Sequence, residues 1–212
     1  MRGCLTTLAA CLVIIAAAVA GWGLWLRAQA PTDLAFESAE VRRVATGVSG
    51  DGKTFHYDDV LLVTFRSRAD LQTLANRYGF HLHITVSPCV QGSVDLAKRL
   101  FGTYKESPGD DYGEVDVWSY DEATQKYRTR PSGPRDASGT IRYYFTTYLE
   151  LSGSLFPNRY HYDLVSSPME LCAVLEGSTD ILGEFFFPAF TSNTIVIPRN
   201  SVADAIARAH VK

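Results

Sequence analysis

Polar and apolar positions alternate with a period of two through most of the chain beyond residue 40, and the alternating runs end at glycine, proline, asparagine or serine, so strands dominate the expected structure. Val41 to Val48 is the first such run, closed by the turn signal Ser49-Gly50-Asp51-Gly52. Thr54 to Phe65 returns from that turn, and its second half, Asp59 to Phe65, is dense in Val and Leu on both faces, as an interior strand would be. Phe80 to Ser87 alternates without error, with Phe80, Leu82, Ile84 and Val86 on a buried side and His81 and His83 on a solvated one. Gly113 to Arg130 reads as an exposed hairpin, with Glu114, Asp116, Trp118 and Tyr120 on the outgoing strand and Lys126, Arg128 and Arg130 on the return. Ile141 to Leu151 is expected to be the longest strand, setting Ile141, Tyr143, Phe145, Thr147, Leu149 and Leu151 against Arg142, Tyr144, Thr146, Tyr148 and Glu150. Tyr160 to Val165 pairs back onto it around Pro157-Asn158. Pro168 to Glu176 carries both a capping-box pattern and the alternation of Leu171, Ala173 and Leu175; the alternation is taken as decisive for a strand. Phe185 to Phe187 and Thr194 to Ile197 supply two more strands.

Helical spacing interrupts this pattern in three places. Ser67 stands at an N-cap position ahead of Leu71, Leu74, Ala75 and Tyr78, and Gly79 supplies the stop, which predicts a helix over 68–78. A second short helix is expected from Ser93 through Phe101, on the face of Leu96, Ala97 and Leu100, and a third from Ser201 to Ala209. Residues 31–39 read as a linker and Pro131 to Gly139 as a loop. The fold class is therefore α+β: a mainly antiparallel β-sheet with about three short helices, preceded by one N-terminal transmembrane or signal segment. Residues 1–30 form that segment and residues 31–212 a single domain.

The N-terminal segment is distinguished by what it lacks. From Gly3 to Leu26 only Cys4 and Cys11 are ionisable, Leu12 to Ala20 is wholly aliphatic, and Trp22, Trp25 and Arg27 follow as interfacial anchors would. Three fates are read for it, in this order: an uncleaved anchor through residues 3–26, a signal cleaved after Ala18-Val19-Ala20 or Ala28-Gln29-Ala30, and a lipoprotein signal ending at Cys11. Met1 and Arg2 outweigh Arg27, which places the domain on the trans side of the membrane, in the periplasm or extracellular space.

Charge narrows the partners. The first 30 residues hold two of the chain's 20 Lys and Arg and none of its 23 Asp and Glu, so the domain carries a formal charge of −5 and a nucleic-acid partner is not expected. Of the 4 cysteines only Cys89 and Cys172 belong to the domain, so one intramolecular disulfide is expected in an oxidising compartment, with two separate buried thiols as the alternative.

Candidate chemistry is sparse. His81 and His83, two apart on a strand, project to one face and offer two imidazoles to a metal, but no third ligand is fixed by spacing. Asp110, Asp111, Glu114 and Asp116 lack calcium-loop spacing and read as a solvated acidic turn. Nucleophile motifs, Gly-x-Gly-x-x-Gly and phosphate-cradling loops are absent, so no catalytic residue and no cofactor is assigned. What stands out among 11 Tyr, 11 Phe and 3 Trp is an aromatic set opposite the expected core, Trp118, Tyr120, Tyr144 and Tyr148 beside Arg142, of the residue types enriched in protein interfaces; that face is either open to a partner or covered by the domain's own helices. The leading expectation is a membrane-anchored extracytoplasmic protein that binds another protein through those residues, as an immunity-type inhibitor or an accessory subunit of an envelope assembly. A periplasmic hydrolase or metal-dependent enzyme using His81 and His83 is the second reading, and a structural envelope component the third.

Overall fold

The computed structural model describes residues 2–48, 55–79, 81–100, 115–116, 118–121, 126–128, 135–151, 160–180 and 186–210. Its elements run α1 (Arg2–Arg27), β1 (Ala35–Val48), β2 (Phe55–Ser67), α2 (Leu71–Tyr78), β3 (His81–Val90) and β4 (Ser93–Val94), then a 3-10 turn (Leu96–Lys98). They continue through β5 (Val115–Asp116), β6 (Trp118–Asp121), β7 (Lys126–Arg128), β8 (Ile141–Tyr148), β9 (Glu150–Leu151), β10 (Tyr162–Asp163), β11 (Leu171–Asp180), β12 (Phe186–Thr191), β13 (Ile195–Ile197) and α3 (Arg199–His210). The α+β class holds, with antiparallel pairing throughout.

Two sheets share one core. The first has the order β1-β2-β8-β6-β7; in the second, β11 and β3 lie side by side, with β12 and β13 along the far edge of β11 and β4 and β5 along that of β3. Leu61, Val63 and Phe65 of β2 point to the same side as Ile141, Tyr143 and Phe145 of β8, and all are buried. They meet Ile84 and Val86 of β3, Leu171, Ala173 and Leu175 of β11, and Ile195 and Ile197 of β13 in a single cluster, which Val202, Ala205 and Ile206 of α3 complete. In the second sheet, Phe190 of β12 stands opposite Gly177 of β11 with its ring where a Cβ would lie, so the close approach requires glycine there.

Several elements depart from the sequence expectation, each because a long-range partner competes with a local pattern. Residues 31–39 are not a linker: β1 begins at Ala35, because Phe36 pairs with Phe65 and Ala39 with Val63 on β2. Ser67 is not the cap of α2. It ends β2, buried, its hydroxyl donating to Asp33 Oδ1 at 2.6 Å, and the cap passes to Asp70, which accepts from the Thr73 amide at 2.9 Å. The stop at Gly79 is as expected, with φ of 66°. The helix expected over 93–101 is replaced by β4 and the 3-10 turn, since the Asp95 amide donates to Ser87 Oγ at 2.6 Å and the Leu100 amide to the Val86 carbonyl at 2.7 Å, both on β3. Ile141 to Leu151 is divided between β8 and β9, and at 14 residues β1 is the longest strand among the described residues. β10 pairs back onto β9, Pro168 to Glu176 resolves into β11, and α3 starts at Arg199 rather than after Ser201. The expected turns at 49–52 and 157–158 lie outside the described residues, as do 131–134 of the expected loop.

The expected membrane segment is helical as α1, but among the described residues no helix is long and apolar enough to cross a membrane, so a span over residues 3–26 is left without structural support. Side chains of α1 are described from residue 11 onward; Leu12, Val13, Ile14, Ile15, Val19 and Leu24 are all exposed.

Candidate functional site

Pairing between strands brings the aromatic set onto one sheet. Tyr148 stands opposite Val60 and Tyr144 opposite Thr64 of β2, and on the far side of β8 Trp118 of β6 pairs with Tyr144. Tyr120 follows at the same parity on β6, paired with Tyr127 of β7. Because paired residues in an antiparallel ladder share a side, these register positions lie on the face turned away from the common core. The side chains of Trp118 and Tyr120 are not among those described.

That face is less open than the alternation predicted. Val60, Leu62, Thr64 and Thr146 are buried on it, and Tyr144 and Tyr148 are half-buried, with Tyr148 packed against the core. Only Arg142 is exposed among the three described members of the set. It lies in a small ion cluster: Arg142 Nη2 is 3.0 Å from Glu37 Oε1, and Arg66 Nε is 3.8 Å from Glu37 Oε2. The register shift between Phe36 and Ser38 makes Glu37 the extra residue of a bulge, from which it reaches Arg66 on the neighbouring β2 and Arg142 one strand further on.

A second cluster lies on the other sheet, where alternation marked His83 as solvated. Instead, His83 is half-buried and its Nε2 lies 3.2 Å from Glu176 Oε2, while Thr85 donates to the same oxygen at 2.7 Å. Register explains it, since β3 and β11 pair His83 with Glu176 and His81 with Ser178. Thr85 and Ser87, on the histidine side of β3, are buried along with Cys172 and Val174, so both faces of this strand are covered. The Nδ1 of His83 is buried and has no hydrogen-bond partner among the described residues. Asp116 of β5 occupies the register position on the other side of His83, and the side chains of His81 and Asp116 are not described. Glu176 takes the Nε2 of His83, and among the described residues no group of three or more His, Cys, Asp or Glu is placed to hold an ion. Asp110, Asp111 and Glu114 lie outside the described residues.

The hydrogen bond from His83, reinforced by Thr85 and outweighing the cost of partial burial, holds the Glu176 carboxyl below the usual glutamate range. A carboxyl lowered in the folded state contributes stability above its unfolded pKa and loses it as pH falls through the folded value. Glu176→Gln is therefore expected to give a shallower loss of stability below about pH 4.5 than the parent protein, read as the difference between the two urea midpoints across an acid series. Superimposable acid limbs would refute the coupling. Asp136 and Asp163, also lowered by hydroxyl and amide donors in their own turns, are common to both proteins and cancel in that difference.

Cys89 and Cys172 are joined as a disulfide with Cα atoms 4.9 Å apart. The signal in the sequence was elimination, since no other pair was available to the domain. No local signal marked Glu176, 93 residues from His83, or Asn193, whose side chain donates to the Leu34 carbonyl at 2.8 Å and accepts from its amide at 3.0 Å. The chain matches no family model, no curated protein and no solved structure.

Proposed function

We propose that this chain is an extracytoplasmic protein, anchored to a membrane by α1, whose domain binds a protein partner through the outer face of the five-stranded sheet. The observation that carries the reading is the register of that sheet, which places Trp118, Tyr120, Tyr144 and Tyr148 on one face of β6 and β8, Trp118 directly opposite Tyr144, with the exposed Arg142 on the same face. Aromatic residues and arginine on one face are the composition of interface anchors, and the half-burial of Tyr144 and Tyr148 before binding lowers the entropy lost on docking. The disulfide supports an oxidising compartment, and the apolar sequence from Gly3 to Gly21, with Trp22, Trp25 and Arg27 after it, supports an anchor. An inhibitor of the immunity type or an accessory subunit of an envelope assembly fits such a face.

Because Tyr148 packs against the core, alanine there would confuse binding with stability; Arg142 is the cleaner probe. Arg142→Glu, introduced with a photo-crosslinking residue at position 144 in intact cells, is expected to abolish a discrete crosslinked adduct. It should leave the melting temperature within a few degrees of the parent, since an exposed ion pair contributes only about 0–1 kcal/mol. An adduct unchanged by the charge reversal would sink the assignment of this face.

A second reading has its own observation. In the His83–Glu176 pair a carboxylate holds one imidazole nitrogen while the other has no partner among the described residues, the arrangement of a general base oriented by an acid. Turnover of any substrate that His83→Ala removes while Arg142→Glu spares it would favour that reading over the first.

A further inference from the structure

We infer that α1 and the domain form one rigid unit that holds the C-terminal end of α2, Arg77 and Tyr78, against the phospholipid headgroups as a second membrane contact. This rests on the reading of α1 as the anchor and adds to it which side of the domain faces the bilayer.

The connection out of α1 is not a tether. The amides of Gln29 and Ala30 donate to the carbonyls of Leu26 and Arg27 at 3.0 and 3.1 Å, and Pro31 is buried. Asp33 accepts from Ser67 Oγ and from the Arg68 amide at 2.6 and 2.7 Å. Leu34 is held through both backbone groups by Asn193. The connection is thus held at one end by the helix and at Pro31, Asp33 and Leu34 by the domain, and a segment so restrained transmits the orientation of the helix to the sheet.

The end of the helix is itself part of the domain. Leu26 is 4% exposed and belongs to the common core. Trp25 packs edge-on against Tyr78 with centroids 5.2 Å apart, Trp22 lies 5.0 Å from Trp25, and the Arg77 guanidinium sits 5.5 Å from the centre of the Tyr78 ring. These contacts leave Trp22 58% and Trp25 43% exposed, and Arg27 and Arg77 are exposed beside them.

Dimensions decide what this patch meets. Along a helix, Trp22 to Arg27 spans about 7.5 Å, close to the ~5–7 Å depth of one interfacial layer, and the stretch from Gly3 to Gly21 spans about 27 Å against ~30 Å of hydrocarbon. Seating the apolar stretch in the hydrocarbon puts both tryptophans and Arg27 in the headgroup layer. Tyr78, in contact with Trp25, goes with them, and so does Arg77, which lies against the Tyr78 ring. Tryptophan, tyrosine and arginine are the side chains whose apolar bodies and polar tips suit that layer, and the two cations complement lipid phosphates.

The test uses the full chain carrying Cys4→Ser and Cys11→Ser, with the disulfide intact and a nitroxide on Asn76→Cys, an exposed position beside the proposed contact. It is reconstituted into vesicles of phosphatidylcholine and phosphatidylglycerol. Collisions with an aqueous nickel chelate should be several-fold fewer than in a matched chain with a flexible Gly-Ser segment inserted between Arg27 and Ala28. Both chains should resist alkaline extraction. If the parent chain is extracted, the anchor reading fails and this inference with it. Retention with the nitroxide as open to the chelate as in the inserted chain would overturn the contact alone and leave the anchor standing. Protection that survives the insertion would overturn the rigid unit, and dipolar broadening between labels would show a second copy of the chain on the patch in place of lipid.

Discussion

Replacing Cys89 and Cys172 together with alanine is expected to cost about 2–5 kcal/mol of stability, roughly 5–20 °C in melting temperature for a domain of this size. The two cysteines are 83 residues apart in sequence, so the cross-link removes a large loop from the freedom of the unfolded chain. In the folded state the same strands are already joined: Cys172 pairs with Ser87 in the ladder between β3 and β11, and the Cys89 amide donates to the Glu170 carbonyl at 3.1 Å. The fold should therefore survive the double substitution, with the loss arising mainly in the unfolded ensemble. Urea unfolding separates the two effects, because an expanded unfolded state raises the dependence on denaturant while the midpoint falls. Reduction of the parent protein should bring it to the same midpoint. An unchanged midpoint in both cases would show that the disulfide contributes nothing.

Phe65→Ala is expected to cost about 3–5 kcal/mol, the loss of a fully buried aromatic side chain together with the cavity it leaves. Phe65 lies between Phe36 of β1 and Tyr143 of β8 in register, its ring stacked on that of Tyr143 at 5.6 Å and 6.0 Å from that of Phe145. The neighbours that would have to close the gap are themselves fixed. Tyr143 donates to the Ala69 carbonyl at 3.0 Å and accepts from the Leu71 amide at 2.9 Å, which ties the ring to the start of α2. A site so constrained relaxes little, which places the cost at the upper end for such truncations. A loss below about 1 kcal/mol in urea unfolding would mean that this part of the core repacks freely.

The pattern of residues in the chain was sufficient for everything settled within one segment or by exclusion. The alternation of Leu171, Ala173 and Leu175 gave a strand, Gly79 ended α2, the mixture of short strands and helices gave α+β, and Cys89 had only Cys172 to pair with in the domain. Each rests on a property of neighbouring residues or on a count: the period of burial, a backbone angle available to glycine, the number of thiols. Tertiary structure alone decided where competing hydrogen bonds go. Ser67 had the chemistry of a helix cap, yet Asp33, 34 residues away, took its hydroxyl. The amphipathic spacing of Leu96, Ala97 and Leu100 suited a helix, but Ser87 and Val86 on β3 bound the backbone that the helix would have used. His83 fell on the polar side of its strand, and that side proved covered, with Glu176 as a partner brought to it by register. Alternation distinguishes one side of a strand from the other without saying what lies over either, since a covered side built of hydroxyls and a histidine–carboxylate hydrogen bond is written in the same polar letters as a solvated one.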